Sequence, residues 1–242
     1  MPKEKFPMLT IAIMQPYLFP YIGYFQLMKA VDTFVVYDNI QYTKKGWINR
    51  NRILANGKVE NIYLPLKKDH YYLNVNDRCL SDTWSKNRKR LQNKITECYR
   101  KAPQFMDVYS VIEKCLSFEE HNLFFFLLHS LHVLKDYLNI NTPFVISSTI
   151  NIDHGLKHED KVIAICKALG ATHYLNPSGG MELYNKNHFE KAGVQLNFIN
   201  TESIQYAQFS NEFVPLLSII DVMMFNDKKT ITEYLTQKYT LE

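Results

Sequence analysis

The chain lacks most of the short signatures that announce a chemistry. It has no Gly-x-Ser-x-Gly elbow, no P-loop and no Gly-x-Gly-x-x-Gly. Its four cysteines, Cys79, Cys98, Cys115 and Cys166, have no close pair spacing. That argues against a disulfide frame or zinc site and for reduced thiols, as in the cytoplasm. None has a nearby histidine in a basic context, so none stands out as a nucleophile. Charge of one sign is also scarce: 28 basic against 24 acidic residues leave a net +4. Such a balance admits an anionic small ligand but does not argue for nucleic acid. The most apolar stretch, "LFFFLLHSLHVL", falls far short of the roughly 20 apolar residues of a membrane span and carries His129 and His132. It reads as a buried helix, with both histidines as core or boundary residues. The first residues carry lysines and a short apolar run broken by Pro16, with no small-residue cleavage site, so no signal peptide is expected. The expectation is a soluble, cytoplasmic protein without stable membrane insertion. No internal repeat and no low-complexity segment is present.

What the chain has is apolar mass and rings. Of its 242 residues 46% are hydrophobic, and 16 Tyr and 15 Phe raise the aromatic share to 14%. Rings on that scale fill ordinary cores and can also line a site. The opening alternates in kind. "LTIAIM" reads as a buried strand, "IGYFQLMKAV" has helical spacing, and "TFVVYD" is β-branched and aromatic. Strand, helix and strand make a right-handed βαβ unit with parallel strands. Asn56-Gly57 between two mixed runs marks a hairpin. The block from about 81 to 140 reads as a helical insert: one helix stops before Pro103, and another starts near Ser117, with Glu120 at capping-box spacing. Alternation then resumes through "PFVISS", a helix closed by Gly170, "THYLN", "NKNHFEKAG" and "VQLNFI", and "FVPLLSIIDVMMF" and "KKTITEYLTQKY" read as terminal helices. The expected class is a single α/β domain over 1–242, with a mostly parallel sheet, flanking helices and that insert.

Ligands of open parallel sheets bind outside the carboxyl ends of the strands. Three loops there carry chemistry. "MQPYLFPYIGYF" follows the first strand and is rich in rings and proline. "DNIQYTKKGWINRNR" follows the second and collects Asp38, Gln41, Lys44, Lys45, Trp47, Asn49, Arg50, Asn51 and Arg52. Arginine forks and lysine point charges suit phosphate, and a Trp suits a base or sugar. The plain alternative is a solvated loop whose charges pair with one another. "NPSGGMELY" offers backbone N–H groups at Ser178, Gly179 and Gly180, beside Tyr184, as an anion nest or as a simple turn. His154 and His158 are four apart, but Gly155 between them argues against one helix and so against a metal pair; no metal site is expected.

Long stretches of the chain resemble a known family. "QPYLFPYIGYFQLMKAVDTFVVYDNIQYTKKGWINRNRI", the spacing of Trp84, Ile95, Tyr99, Ala102, Pro103 and Phe105, "LGATHYLNPSGG" and "YAQFSNEFVPLLSIID" together are similar to the WbqC-like family, from Ile11 to Asn226. The resemblance implies a role in bacterial O-antigen or other surface-polysaccharide assembly. There it implies N-acylation or aminoacylation, for example with glycine, of a nucleotide-linked amino sugar such as a dTDP-4-amino-4,6-dideoxy sugar. The opening also resembles, more faintly, the HIGH-type nucleotidyltransferases and pantothenate synthetases, which implies a Rossmann-like (HUP-like) sheet. Their His-x-Gly-His stands here as Tyr21, Gly23 and Tyr24. Tyrosine donates a hydrogen bond but carries no positive charge at neutral pH. The charge then comes from Lys44, Arg50 or Arg52, or there is no adenylyl transfer. On these grounds the expected catalytic groups are Asp38, Lys44 and Tyr24. The expected substrate contacts are Gln15, Pro16, Tyr17, Tyr21, Gly23, Gln41, Trp47, Asn49, Arg50, Arg52, Ser178, Gly179, Gly180 and Tyr184. An acyl thioester, or ATP with Mg²⁺, is the implied donor side. Alternatives are an adenylate-forming enzyme of the HIGH type and a sugar-nucleotide-binding protein without turnover. An oligomer is allowed.

Overall fold

The computed structural model describes residues 8–209 and 212–242. Residues 1–7 of the segment read for a signal peptide, and Ser210 and Asn211 of the "YAQFSNEF" match, lie outside them.

The first unit is β1 (Thr10–Met14), α1 (Ile22–Lys29) and β2 (Thr33–Val36). A hairpin of β3 (Arg50–Ala55) and β4 (Lys58–Tyr63) follows, then α2 (Trp84–Tyr99), α3 (Phe105–Leu116) and α4 (Leu123–Tyr137). The alternation returns with β5 (Phe144–Ile146), α5 (His158–Ala168), β6 (His173–Pro177), α6 (Lys186–Lys191) and β7 (Gln195–Thr201). The chain closes with α7 (Ile219–Phe225), α8 (Lys228–Gln237) and β8 (Tyr239–Leu241).

Six strands form one sheet in the order β5-β2-β1-β6-β7-β8. The first five are parallel, and β8 lies antiparallel on the β7 edge. The parallel strands run outward from β1 to β5, and the chain then returns to the other side of β1 with β6. This is the Rossmann-like order, and its reversal lies between β1 and β6.

Alternation along the strands separates two cores. Ala12, Phe34, Val36, Leu175 and Ile199 face the layer that holds α1, α4, α7 and α8. Ile11, Ile13, Val35, Tyr174 and Leu196 face α5 and α6 through Val162, Ile165 and Phe189. The hairpin stands apart from the main sheet. Its Asn56 and Gly57 both have positive φ, 50° and 75°, as a tight two-residue turn demands.

Three local features differ from expectation. Ser117 closes α3 rather than opening the next helix; α4 is capped by Asn122, whose side chain accepts from the Phe125 amide. Glu120 instead accepts from the Asn122 backbone N–H. α7 starts only at Ile219, under a Ser218 cap, because Pro215 constrains its predecessor and Leu216 turns to φ 58°. β8 was not expected; α8 ends at Gln237, and from Tyr239, the last residue of the run read as a terminal helix, the chain extends and pairs with β7. No helix among the described residues is long and apolar enough to cross a membrane.

Candidate functional site

The loop after β1 carries two prolines and three aromatic rings, and it is bound tightly from three sides. Pro16, Leu18, Phe19 and Pro20 are buried. Phe19 sits at φ 44°, an unusual conformation for a bulky residue. Its carbonyl accepts from Asn51 Nδ2 at 2.7 Å and from Ser218 Oγ at 2.8 Å. Asn51 also donates to the Leu18 carbonyl at 2.9 Å. The Leu18 amide donates to Ile48 O, and the Ile219 amide to Pro20 O. From inside, the Tyr24 hydroxyl donates to the Gln15 carbonyl at 3.0 Å. The loop is therefore a fixed wall rather than a flexible exit.

That wall bounds a cavity of about 430 Å³ at the carboxyl ends of β1, β6 and β7, where the strand order reverses. Its size is within the range of small-molecule sites. Tyr17, Tyr21, Gly23 and Tyr24 line one side, Pro177, Ser178, Asn200 and Thr201 the strand ends, and Trp47, Asn51, Arg52 and Leu216 the roof. Gly23 lets α1 approach β7: a Cβ there would stand 2.6 Å from Thr201 Oγ1. Burial raises the phenol pKa of Tyr17, Tyr21 and Tyr24, so all three stay protonated donors.

Arg52 supplies the positive charge. Its guanidinium lies 4.9 Å from the Trp47 ring centre and donates through Nη2 to the Leu216 carbonyl at 3.0 Å. Its Nε is buried and meets no hydrogen-bond partner. A buried donor without an acceptor is costly, and an anion in the cavity offers one. Arg50, two residues along the strand, also stacks over Trp47, at 5.1 Å. Its donors go to the Gly46 and Lys45 carbonyls, so it props the loop that carries the Trp.

The sequence matches the family model described as the WbqC-like protein family over residues 15–233. The chain belongs to that family. A relative in Mycobacterium tuberculosis, named as uncharacterized protein Rv1507c, is 26% identical over 232 residues, covering 94% of this chain and 98% of the relative. No solved structure matches.

In this WbqC-like protein the three loops do not converge on one point. Tyr17, Tyr21, Gly23, Tyr24, Trp47, Arg52 and Ser178 share the cavity. Gln15 and Pro16 belong to the wall behind it. Gln41, Lys44 and Asn49 line a second cavity on the other side of the Trp47 loop. Asp38 is 2% exposed, and its carboxylate accepts from Ser147 Oγ, the Ser148 amide and Asn76 Nδ2 at 2.7 to 2.9 Å. It ties the β2 exit to the β5 exit. Gly179 and Gly180 wind into a 3-10 turn over Ser178–Leu183, with neither φ positive. Tyr184 packs edge-on against Tyr174 and Phe189, on the α5 and α6 side of the sheet. His154 bonds Asn39 and the Ile150 carbonyl. Among the described residues no three His, Cys, Asp or Glu gather as metal ligands.

Sequence reasoning placed Asn51 in the charged loop but not among the substrate contacts, and it left Met14, Pro20, Pro177, Ile199, Asn200, Thr201 and Leu216 out of the expected site. Asn200 and Thr201 end the last parallel strand, so the strand-end rule applied to "VQLNFINT" finds them. Leu216 has no such signal.

The residues fit Mg²⁺-ATP poorly. Among the described residues the cavity lining holds one cation, Arg52, and no carboxylate for a metal. Tyr21 and Tyr24 replace the histidines of the HIGH pattern, and the Tyr24 proton is committed to Gln15.

Asp221, in the "SIID" motif, is fully buried. It accepts from Tyr99 Oη at 2.7 Å, Tyr206 Oη at 2.8 Å and Gln208 Nε2 at 2.6 Å. Burial raises its pKa, and the three hydrogen bonds oppose that rise. Tyr99 Oη in turn takes the Leu54 amide proton. One carboxylate thus joins α7, the end of α2, the hairpin and the 204–208 segment behind Tyr21 and Leu216.

Proposed function

We propose that this protein binds a nucleotide-linked amino sugar in the cavity at the strand reversal and serves its N-acylation in surface-polysaccharide assembly. The observation that carries the reading is the pairing of a ring-lined wall with one underused guanidinium. Tyr17, Tyr21 and Trp47 suit the flat faces of a sugar or base. Arg52 suits a phosphate oxygen, which its Nε would gain as an acceptor. Ser178 and Asn200 stand at the strand ends, within the lining, where sugar hydroxyls need polar partners. The family's gene setting, as the resemblance implies it, points to the same ligand class. In the transfer the amine nitrogen bonds the acyl carbon, the donor's leaving group departs, and the amine gives up a proton.

A second reading, binding without turnover, is favoured by one feature. Among the described residues the cavity lining holds no carboxylate, imidazole, thiol or amine to take that proton. One experiment separates the two. A dTDP-4-amino-4,6-dideoxy sugar is titrated into the protein by calorimetry, then incubated with acyl thioesters, or with ATP and glycine, and weighed by mass spectrometry. Binding with a mass gain supports acylation. Binding with no gain under any donor leaves the binding protein. Absence of binding overturns both.

A further inference from the structure

A second cavity, of about 740 Å³, lies on the far side of the Trp47 loop. Lys44, Lys45, Lys67, Lys68 and Arg78 line it, against a single acid, Asp69. Lys67 is engaged by Asp82 at 2.9 Å, outside the lining. The other cations make no ion pair among the described residues.

Arg78 is the unusual member. It is only 7% exposed, yet no carboxylate lies within ion-pair distance of it among the described residues. Nη2 donates to the His70 carbonyl at 2.7 Å, and Nε is buried without any partner. One face is covered by the Tyr42 ring, at 4.5 Å. That ring is itself held: Tyr42 Oη donates to Asn49 Oδ1 and Asn49 Nδ2 to the Leu64 carbonyl, both at 2.8 Å. A hydrogen-bonded chain thus holds a buried guanidinium that has no counter-ion among the described residues. Such a charge is costly unless something anionic arrives to pair with it.

We propose that this cavity is a binding site for a diphosphate-bearing small molecule, separate from the first cavity. Lys44, Lys45 and Lys68 meet the phosphate oxygens as mobile point charges, and Arg78 fixes their depth. The volume admits a nucleotide-sized ligand. Tyr71, 80% exposed at the rim, is placed to cover a flat group. Lys45 and Asn49 belong to the same short loop as Trp47, so two ligands bound together would lie on opposite sides of one wall. The proposal does not depend on what the first cavity binds.

The test is calorimetry with inorganic pyrophosphate and with UDP. The wild type should bind both saturably, more weakly as salt rises. Equal affinity marks the phosphates as the recognised group, and tighter UDP adds a seat for the base. Lys44→Ser with Lys45→Ser, an exposed double change, should weaken pyrophosphate by about tenfold or more. Arg52→Gln removes any pyrophosphate held in the first cavity, and the loss caused by the lysine double change should persist in that background. Arg78→Gln should weaken it further wherever its circular dichroism and melting show a folded chain. A wild type that fails to bind pyrophosphate, a double variant that binds it like the wild type, or a loss confined to Arg52→Gln overturns the proposal.

Discussion

Asp221→Ala tests whether the "SIID" carboxylate is the joint on which the cavity's back wall rests. The substitution removes one acceptor of three buried or half-buried donors. Gln208 keeps a second acceptor in the Val214 carbonyl at 3.1 Å, so its loss is partial. Tyr99 and Tyr206 each lose the acceptor of their phenol proton, at about 1–3 kcal/mol apiece. Relief from burying a carboxylate whose pKa is already raised offsets part of this. The expected net loss is about 3 kcal/mol, two decades in the folding equilibrium, or roughly 6–12 °C in Tm for a chain of this size. Asp221→Asn keeps an acceptor for Tyr99 but turns an N–H2 toward Gln208, and should cost about half as much. Acidity gives an independent check. A folded pKa above the ordinary 3.8 means that the native state binds more protons through that window. The stability tied to the carboxyl is then fullest below 3.8 and lost as pH rises through the folded value. The margin of wild type over Asp221→Asn should therefore widen as pH falls from neutral toward 4. Urea titration by tryptophan fluorescence measures both effects. An alanine variant within about 1 kcal/mol of wild type, or a margin that narrows on acidification, refutes the reasoning.

Arg52→Gln should leave the fold intact and weaken a sugar nucleotide by about 2 kcal/mol, near thirtyfold; unchanged affinity by calorimetry removes this residue from the site. Gly23→Ala forces a Cβ against Thr201 Oγ1 and should destabilise by about 1–3 kcal/mol. Adding Thr201→Ala should return part of that loss, and a double-mutant cycle with no coupling denies the contact. Burial pushes the Cys115 and Cys166 thiols up to about 12, so neither should react with Ellman's reagent at pH 8 until denaturant is added. Fast reaction of all four thiols in the native protein counts against the packing described.

The sheet's ingredients were plain in the sequence because they are local. Ile11, Ala12 and Ile13 alternate between two cores, and Asn56-Gly57 supplies the two positive φ values of the hairpin. The helical block was legible as a block but not in its joints. Pro103 marked a stop, yet α3 starts two residues later, and Ser117 at cap spacing closes it. Lateral strand order depends on where each crossover packs, which no short window encodes. The charged loop after β2 looked like one site because its residues are neighbours in sequence. The structure instead puts it between two cavities, with Trp47 and Arg52 on one and Gln41, Lys44 and Asn49 on the other. Asp38, the most suggestive acid, was drawn inward by Ser147 and Ser148, which lie about 110 residues away. Leu216 reaches the roof only because Pro215 prevents the helix that its apolar neighbours suggest.

The clasp on Phe19 has a consequence for the order in which the protein can be made. Its carbonyl is finished by Ser218, and Gln26, at the centre of α1, donates to the Tyr234 and Lys238 carbonyls at 2.8 and 2.9 Å. The first wall leaves the ribosome early and waits for the last quarter of the chain before its hydrogen bonds close. Contacts that far apart slow folding and leave early apolar segments exposed to misassembly. A nascent chain released before Ser218 has the rings and the Asn51 and Ile48 contacts but lacks the Ser218 and Ile219 side of the clasp. The cavity wall is thus a late product of synthesis, and damage to the final helices reaches it as directly as damage to the wall itself.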